Sequence, residues 1–157
     1  MAKAAAEKTK KLTTNGAADV QRRPAEVEYA AELDALRAAD RDARPEGWLL
    51  SPKAVRTYIL GGKAGGTEIR PKYLGSERVV EIAIATLATD RALLLVGEPG
   101  TAKSWLSEHL AAAISGNSQL LIQGTAGTTE EQIRYSWNYA LLLAEGPSPR
   151  ALVPSPM

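Results

Sequence analysis

Eight consecutive residues, Gly97-Glu98-Pro99-Gly100-Thr101-Ala102-Lys103-Ser104, have the types and spacing needed to hold a chain of phosphates. Backbone N–H groups from about Gly100 to Ser104 can converge on one concavity and act as a nest for the β-phosphate of a nucleotide triphosphate. The start of a following helix adds unpaired N–H donors and partial positive charge. Lys103 supplies a mobile cation for the β- and γ-phosphates. The Ser104 hydroxyl is a hard oxygen ligand of the kind Mg²⁺ accepts beside phosphate oxygens and water. Pro99 fixes its own φ and has no N–H, while Gly97 and Gly100 allow backbone angles and a close approach that a Cβ would hinder.

One position departs from the G-x-x-x-x-G-K-[ST] pattern: Ala102 stands where the second glycine is expected. At positive φ, alanine would add strain of about 1 kcal/mol. At negative φ it would be nearly free and would reduce the entropy of the unfolded chain.

The neighbouring segments are of the kind that position such a loop. Leu93-Leu94-Leu95-Val96 is a short apolar run and predicts a buried parallel strand over 92–96. Leu106, Leu110 and Ile114 recur every four residues and predict a helix over 103–114, with Gly116 as the residue that ends it. Ser118 to Gln123 predicts a second buried strand, and Gly124-Thr125-Ala126-Gly127 a mobile connection. Thr128 or Thr129 would then cap a third helix, with Glu131 or Gln132 completing a capping box and Ile133, Trp137 and Leu141 along one face. Upstream, Ser76 can cap a helix carrying Val79, Ile82, Ala83 and Thr86 that ends near Asp90. Strands alternating with helices argue for an α/β fold with parallel strands and flanking helices. Only two strands are predicted with their helices, so the sheet is expected to be incomplete, with an open edge.

Three regions follow from composition. Residues 1–23 hold six basic against two acidic side chains, are polar throughout, and predict a disordered basic tail. Residues 24–66 predict a helical segment and a glycine-rich linker. Its first helix spans 25–43, with Val27, Ala30, Ala31, Leu33 and Leu36 on the less polar side, and Ser51-Pro52 opens a short helix through Leu60. Gly61-Gly62-Lys63-Ala64-Gly65-Gly66 lacks a preceding apolar strand and a following helical pattern, which makes it a flexible turn rather than a second phosphate loop. Residues 67–157 carry the dense pattern around the phosphate loop.

The net charge of +1 over 157 residues gives no global field for nucleic acid or a membrane surface. There is no cysteine, which excludes disulfides and thiolate metal sites and fits a reducing cytoplasm. The N-terminus has no signal-type apolar core, and no apolar run approaches membrane-spanning length. His109 is the single histidine and reads as a surface or half-buried helix residue, not a metal ligand or catalytic base.

The run from Tyr73 to about Leu152 resembles the MoxR-type branch of the bacterial AAA+ ATPases. The likeness is carried by the loop G-E-P-G-T-A-K-S with its Ala before Lys, by the L-L-L-V run before it, and by I-Q-G-T-A-G-T-T-E-E-Q-I-R-Y-S-W-N-Y-A. Minichromosome-maintenance helicases share the Ala-Lys-Ser ending. The resemblance implies an ATP- and Mg²⁺-binding ATPase that forms a ring, commonly a hexamer, and remodels or matures a client protein in the cytoplasm. On it, Gly97 to Ser104 is the Walker A loop and Ser104 the Mg²⁺ ligand. Tyr73, Leu74 and Gly75 are the segment beside the adenine. Gly124 to Thr129 stands where such rings place a pore loop, an ordinary strand–helix connector being the alternative.

The sequence also departs from that family. No apolar strand ending in Asp-Glu is present: Glu145 follows Leu141-Leu142-Leu143-Ala144, but on a helical pattern and without a preceding Asp. The Walker B element is therefore absent, and no catalytic residue is assigned in this chain. The expectation is the N-terminal part of an AAA+ P-loop NTPase domain, which binds nucleotide but by itself hydrolyses it poorly. Two alternatives stand beside it: a non-hydrolysing nucleotide-binding or assembly module, and a part of a DNA-processing AAA+ motor.

Overall fold

The computed structural model describes residues 22–89 and 91–154. The tail expected over 1–23 lies outside the described residues except for Arg22 and Arg23, as does Asp90. Helices α1 (Ala25–Glu28) and α2 (Ala30–Ala39) lead into α3 (Pro52–Leu60), a hairpin of β1 (Gly62–Ala64) and β2 (Thr67–Ile69), and α4 (Glu77–Ala88). The loop segment and α5 (Lys103–Ile114) follow. Then come α6 (Glu130–Arg134), β3 (Tyr135–Trp137), α7 (Tyr139–Glu145) and β4 (Leu152–Pro154).

Helix α3 is the centre of the core. Ala54, Val55, Tyr58 and Ile59 recur at helical spacing and are all buried. They meet Leu33 and Leu36 of α2, Val80 and Ala83 of α4, and Leu106 and Leu110 of α5. Its start is fixed by a compact polar clasp. The Ser51 hydroxyl accepts from the Ala54 amide at 3.2 Å, with Pro52 in the first turn. Asp40, at the end of α2, accepts from the Ser51 amide at 2.7 Å and from its hydroxyl at 2.8 Å. Burial pushes the Asp40 carboxyl up, but these bonds, the Asp42 amide and Arg44 outweigh it and hold the group below the usual carboxylate range.

Several elements differ from the sequence expectation. The helix expected over 25–43 breaks at Tyr29 and ends at Ala39, where Asp40 turns its carboxylate to Ser51. The glycine cluster is a two-residue β-hairpin, not a flexible turn. Gly65 and Gly66 take φ of 53° and 87°, the left-handed pair that such a tight turn requires, and Gly62 pairs with Ile69. In α4 the buried face carries Val80, Ala83 and Ile84, while Val79 and Ile82 are exposed, so the helix is rotated from the expected face.

The parallel sheet is not formed among the described residues. The segments 92–96 and 118–123 have no strand partner, and both two-stranded sheets are antiparallel. Leu93 and Leu95 pack against the core, whereas Leu94 and Val96 are 84% and 85% exposed, so only one face of the run is covered. A parallel pair needs a long crossover and gains little from two strands alone, whereas a hairpin closes locally.

The third expected helix is interrupted. Tyr135, Ser136 and Trp137 leave the helix to pair with Pro154, Val153 and Leu152, and Asn138 starts a new one by accepting from the Leu141 amide at 3.3 Å. The Thr128 hydroxyl accepts from the Thr125 amide at 2.7 Å and closes the 125–128 turn just before α6. The side chains of Glu131 and Gln132, the other half of the expected capping box, lie outside the described residues. Among the described residues no helix is long and apolar enough to cross a membrane.

Candidate functional site

The phosphate loop enters from Leu93 and Leu95, which anchor it on the core, and leaves into a helix of 12 residues. Between them residues 97–102 are exposed. Two residues give the loop its shape. Gly100 has φ of 82°, and Ala102, at the N-cap of α5, has φ of 59° and ψ of 24°. Gly97 does not take positive φ, and a Cβ there would lie no closer than 3.4 Å to the Thr101 hydroxyl. The loop therefore depends on Gly100 for its backbone and on Ala102 tolerating a left-handed turn.

At this φ the alanine is strained. Ala102→Gly is expected to raise the stability of the chain by about 1 kcal/mol, read as a higher urea midpoint with an unchanged slope.

No side chain caps α5. Its first-turn N–H groups are thus left to whatever the loop holds, and the first helical bond runs from Leu106 N–H to the Ala102 carbonyl at 2.9 Å. Lys103 folds over the loop. Its ammonium donates to the Glu98 carbonyl at 2.6 Å and to the Thr101 hydroxyl at 3.1 Å, and that hydroxyl in turn donates to the same carbonyl at 2.8 Å. Ser104 is exposed one residue further on. A cation, a hydroxyl and free backbone donors are thereby gathered within six residues, a donor set suited to phosphate and to an oxygen-seeking divalent ion. A cleft of about 810 Å³ runs from Ser104 and Ser107 to Leu120 and Ile122.

The segment Tyr73-Leu74-Gly75 is brought near this loop by a contact the sequence did not point to. The Trp105 indole N–H donates to the Lys72 carbonyl at 2.6 Å. The Lys72 and Tyr73 amides both donate to the Ile59 carbonyl, at 2.8 and 3.2 Å, which ties the segment to the end of α3. Tyr73 is half-buried with its ring over Gly75, where a Cβ would sit 2.4 Å from it, and Leu74 is 91% exposed.

Behind Trp105 lies a polar group of side chains inside the core. Lys72 is buried, pairs with Glu32, and holds its ammonium 4.6 Å above the rings of both Tyr29 and Tyr58. His109 is buried too, contrary to the surface or half-buried reading. It shares a hydrogen bond of 3.0 Å with the Tyr58 hydroxyl and packs 4.5 Å from the Trp105 ring, while its Nε2 has no partner among the described residues. Sequence periodicity places His109 three residues after Leu106 and next to Leu110, which was the available signal for a buried position.

Burial holds the His109 imidazole down at about 4, helped by Lys72 and Arg22 and opposed by Glu108 and Glu32. The folded state therefore resists protonation that the unfolded state accepts below its ordinary value of 6.5. Stability from this group is complete above that value and falls as pH drops toward 4, by on the order of 3 kcal/mol. A pH series of urea midpoints checks it, and His109→Gln should flatten the profile between those limits.

Among the described residues no group of three or more His, Asp or Glu side chains could hold a metal ion.

The uncharacterized protein YehL of Escherichia coli (strain K12) is 56% identical over 138 residues, which cover 88% of this chain and 38% of YehL. The chain thus spans under two fifths of the length of that curated relative. No solved structure matches it significantly. Residues 92–157 match the model of the AAA domain of the dynein-related subfamily.

Proposed function

We propose that Gly97 to Ser104 is a Walker A loop that binds Mg-ATP. The observation that supports it best is the loop itself: Gly100 and Ala102 in left-handed turns, an uncapped helix start, and Lys103 folded over the Glu98 carbonyl. On binding, the ammonium would exchange that carbonyl for the β- and γ-phosphates. The backbone donors from Gly100 to Ser104 would take the β-phosphate, and Tyr73, Leu74 and Gly75 would lie toward the adenine. Mg²⁺ would neutralise charge on the two outer phosphates, with the Ser104 hydroxyl as its protein ligand.

The activity we assign to these 157 residues is binding rather than turnover, because no apolar strand within them ends in an acidic pair. For the whole protein we propose a MoxR-type ATPase in the cytoplasm that assembles as a ring, commonly a hexamer, and remodels a client protein. The family likeness of the loop supports that reading.

The test compares ATP binding with and without Mg²⁺ in the original chain and in Ser104→Ala. The original should bind more tightly with Mg²⁺, while the variant should lose most of that difference and keep its metal-free affinity. An unchanged Mg²⁺ dependence in the variant would remove Ser104 from the metal site.

A further inference from the structure

Trp105 follows the proposed Mg²⁺ ligand directly, and its indole is fixed on several sides. Its N–H meets the Lys72 carbonyl at 2.6 Å, the His109 ring lies 4.5 Å away, and the Arg22 guanidinium stands 4.7 Å from the ring centroid. Lys72 is itself immobilised. Its ammonium is shared between Glu32 of α2 and the Arg70 carbonyl at 2.7 Å, and its amide is bonded to α3. A single chain of contacts thus runs from α2 through Glu32, Lys72 and Trp105 to the first turn of α5.

That turn needs outside support. Its N-cap is a strained Ala102, no side chain caps it, and the 92–96 segment before it has no strand partners among the described residues. Rotation of α5 about its axis would carry Lys103 and Ser104 away from one another's target. The hydrogen bond at Trp105 opposes that rotation with a directional contact, which the apolar contacts of Leu106 and Leu110 do not provide.

We infer that Trp105 and Lys72 are positioning residues for the phosphate loop, through which the N-terminal helical layer sets nucleotide affinity. The inference rests on the Walker A reading. It makes α2 and the segment Arg70 to Lys72 part of the support of the site, and a partner that displaced Glu32 from Lys72 would weaken nucleotide binding without touching the loop.

The experiment measures Mg-ATP affinity by calorimetry in the full chain, in Trp105→Phe, and in a chain carrying benzothienylalanine at 105, which keeps the ring size and replaces the N–H by sulfur. Val80→Ala, in the core on α4, serves as a control that lowers the melting temperature without touching this chain of contacts. Loss of the hydrogen bond should weaken binding about tenfold in both Trp105 replacements, with the Val80 control binding as the original does. Unchanged affinity in the benzothienylalanine chain would overturn the inference, as would an equal loss in the Val80 control, which would mean that general softening suffices. If the original chain shows no saturable binding, the Walker A reading itself fails, and that result is distinct from the other two.

Discussion

Lys103→Ala is expected to weaken Mg-ATP binding on the order of 100-fold, because one charge-assisted contact to two phosphates is removed from the site. In the structure the Lys103 ammonium bonds, among the described residues, to the Glu98 carbonyl and the Thr101 hydroxyl of its own exposed loop. Little of the fold depends on it, and the melting temperature should stay within a degree or two of the original, as for surface substitutions generally. The pairing of a large affinity loss with unchanged stability is what marks a ligand-facing residue. Intrinsic fluorescence offers a second readout, since Trp105 stands two residues from Lys103. Trp48 and Trp137 also emit, so a Trp105→Tyr chain is needed to assign the signal.

Glu32→Ala carries the largest expected effect on stability. The Lys72 ammonium is buried against two tyrosine rings, and Glu32 is its only carboxylate among the described residues. Removing one member of a buried pair leaves the other charge uncompensated and should destabilise the chain by about 3 kcal/mol. Replacing both members instead, by Lys72→Met together with Glu32→Leu, removes the pair together with its burial penalty and should cost much less. The two variants thus separate the value of the contact from the cost of an orphaned charge.

The sign of the pH dependence follows from the same group. Burial lowers the Lys72 pKa from its ordinary 10.5, against which the Glu32 partner acts to raise it. Without Glu32 it falls further, so the unfolded state binds more protons than the folded one as pH rises toward the unfolded value. The deficit of Glu32→Ala should therefore narrow as pH rises toward the ordinary lysine value of 10.5, measured by urea midpoints.

The parts of this molecule legible in the sequence are those governed by local rules. Leu106 and Leu110 at a spacing of four fix α5, and Ser51-Pro52 fixes the start of α3, because caps and periodicity act over a few residues. The loop was legible for the same reason. What the sequence did not disclose depends on partners far along the chain. The early end at Ala39 and the break at Tyr135 arise from Asp40 reaching Ser51 and from residues 152–154 pairing with 135–137. Local propensity favours helix in both places, and tertiary contacts override it. The strands expected at 92–96 and 118–123, which do not form among the described residues, rest on apolar composition, which gives the tendency to pair but not the partner.

Within the candidate site the same division holds. Lys103 and Ser104 were identified by spacing. The contact between Trp105 and Lys72, 33 residues apart, was invisible, as was the burial of Lys72 and His109. Buried polar residues look like surface residues in a sequence, since only the fold supplies the partners that make burial tolerable. Ala102 is the intermediate case. The sequence framed a choice between a free and a strained alanine, and its φ of 59° decides it.

The central claim is that this loop recognises phosphates at the β position and beyond, and one titration addresses it. Mg-ATP, Mg-ADP and AMP are each titrated calorimetrically into the full chain. Saturable binding of ATP and ADP is predicted, with AMP bound at least 100-fold more weakly, because it lacks the phosphate that the backbone nest and Lys103 are placed to hold. Binding of AMP as tight as that of ATP would contradict the account, as would no saturable heat with any of the three.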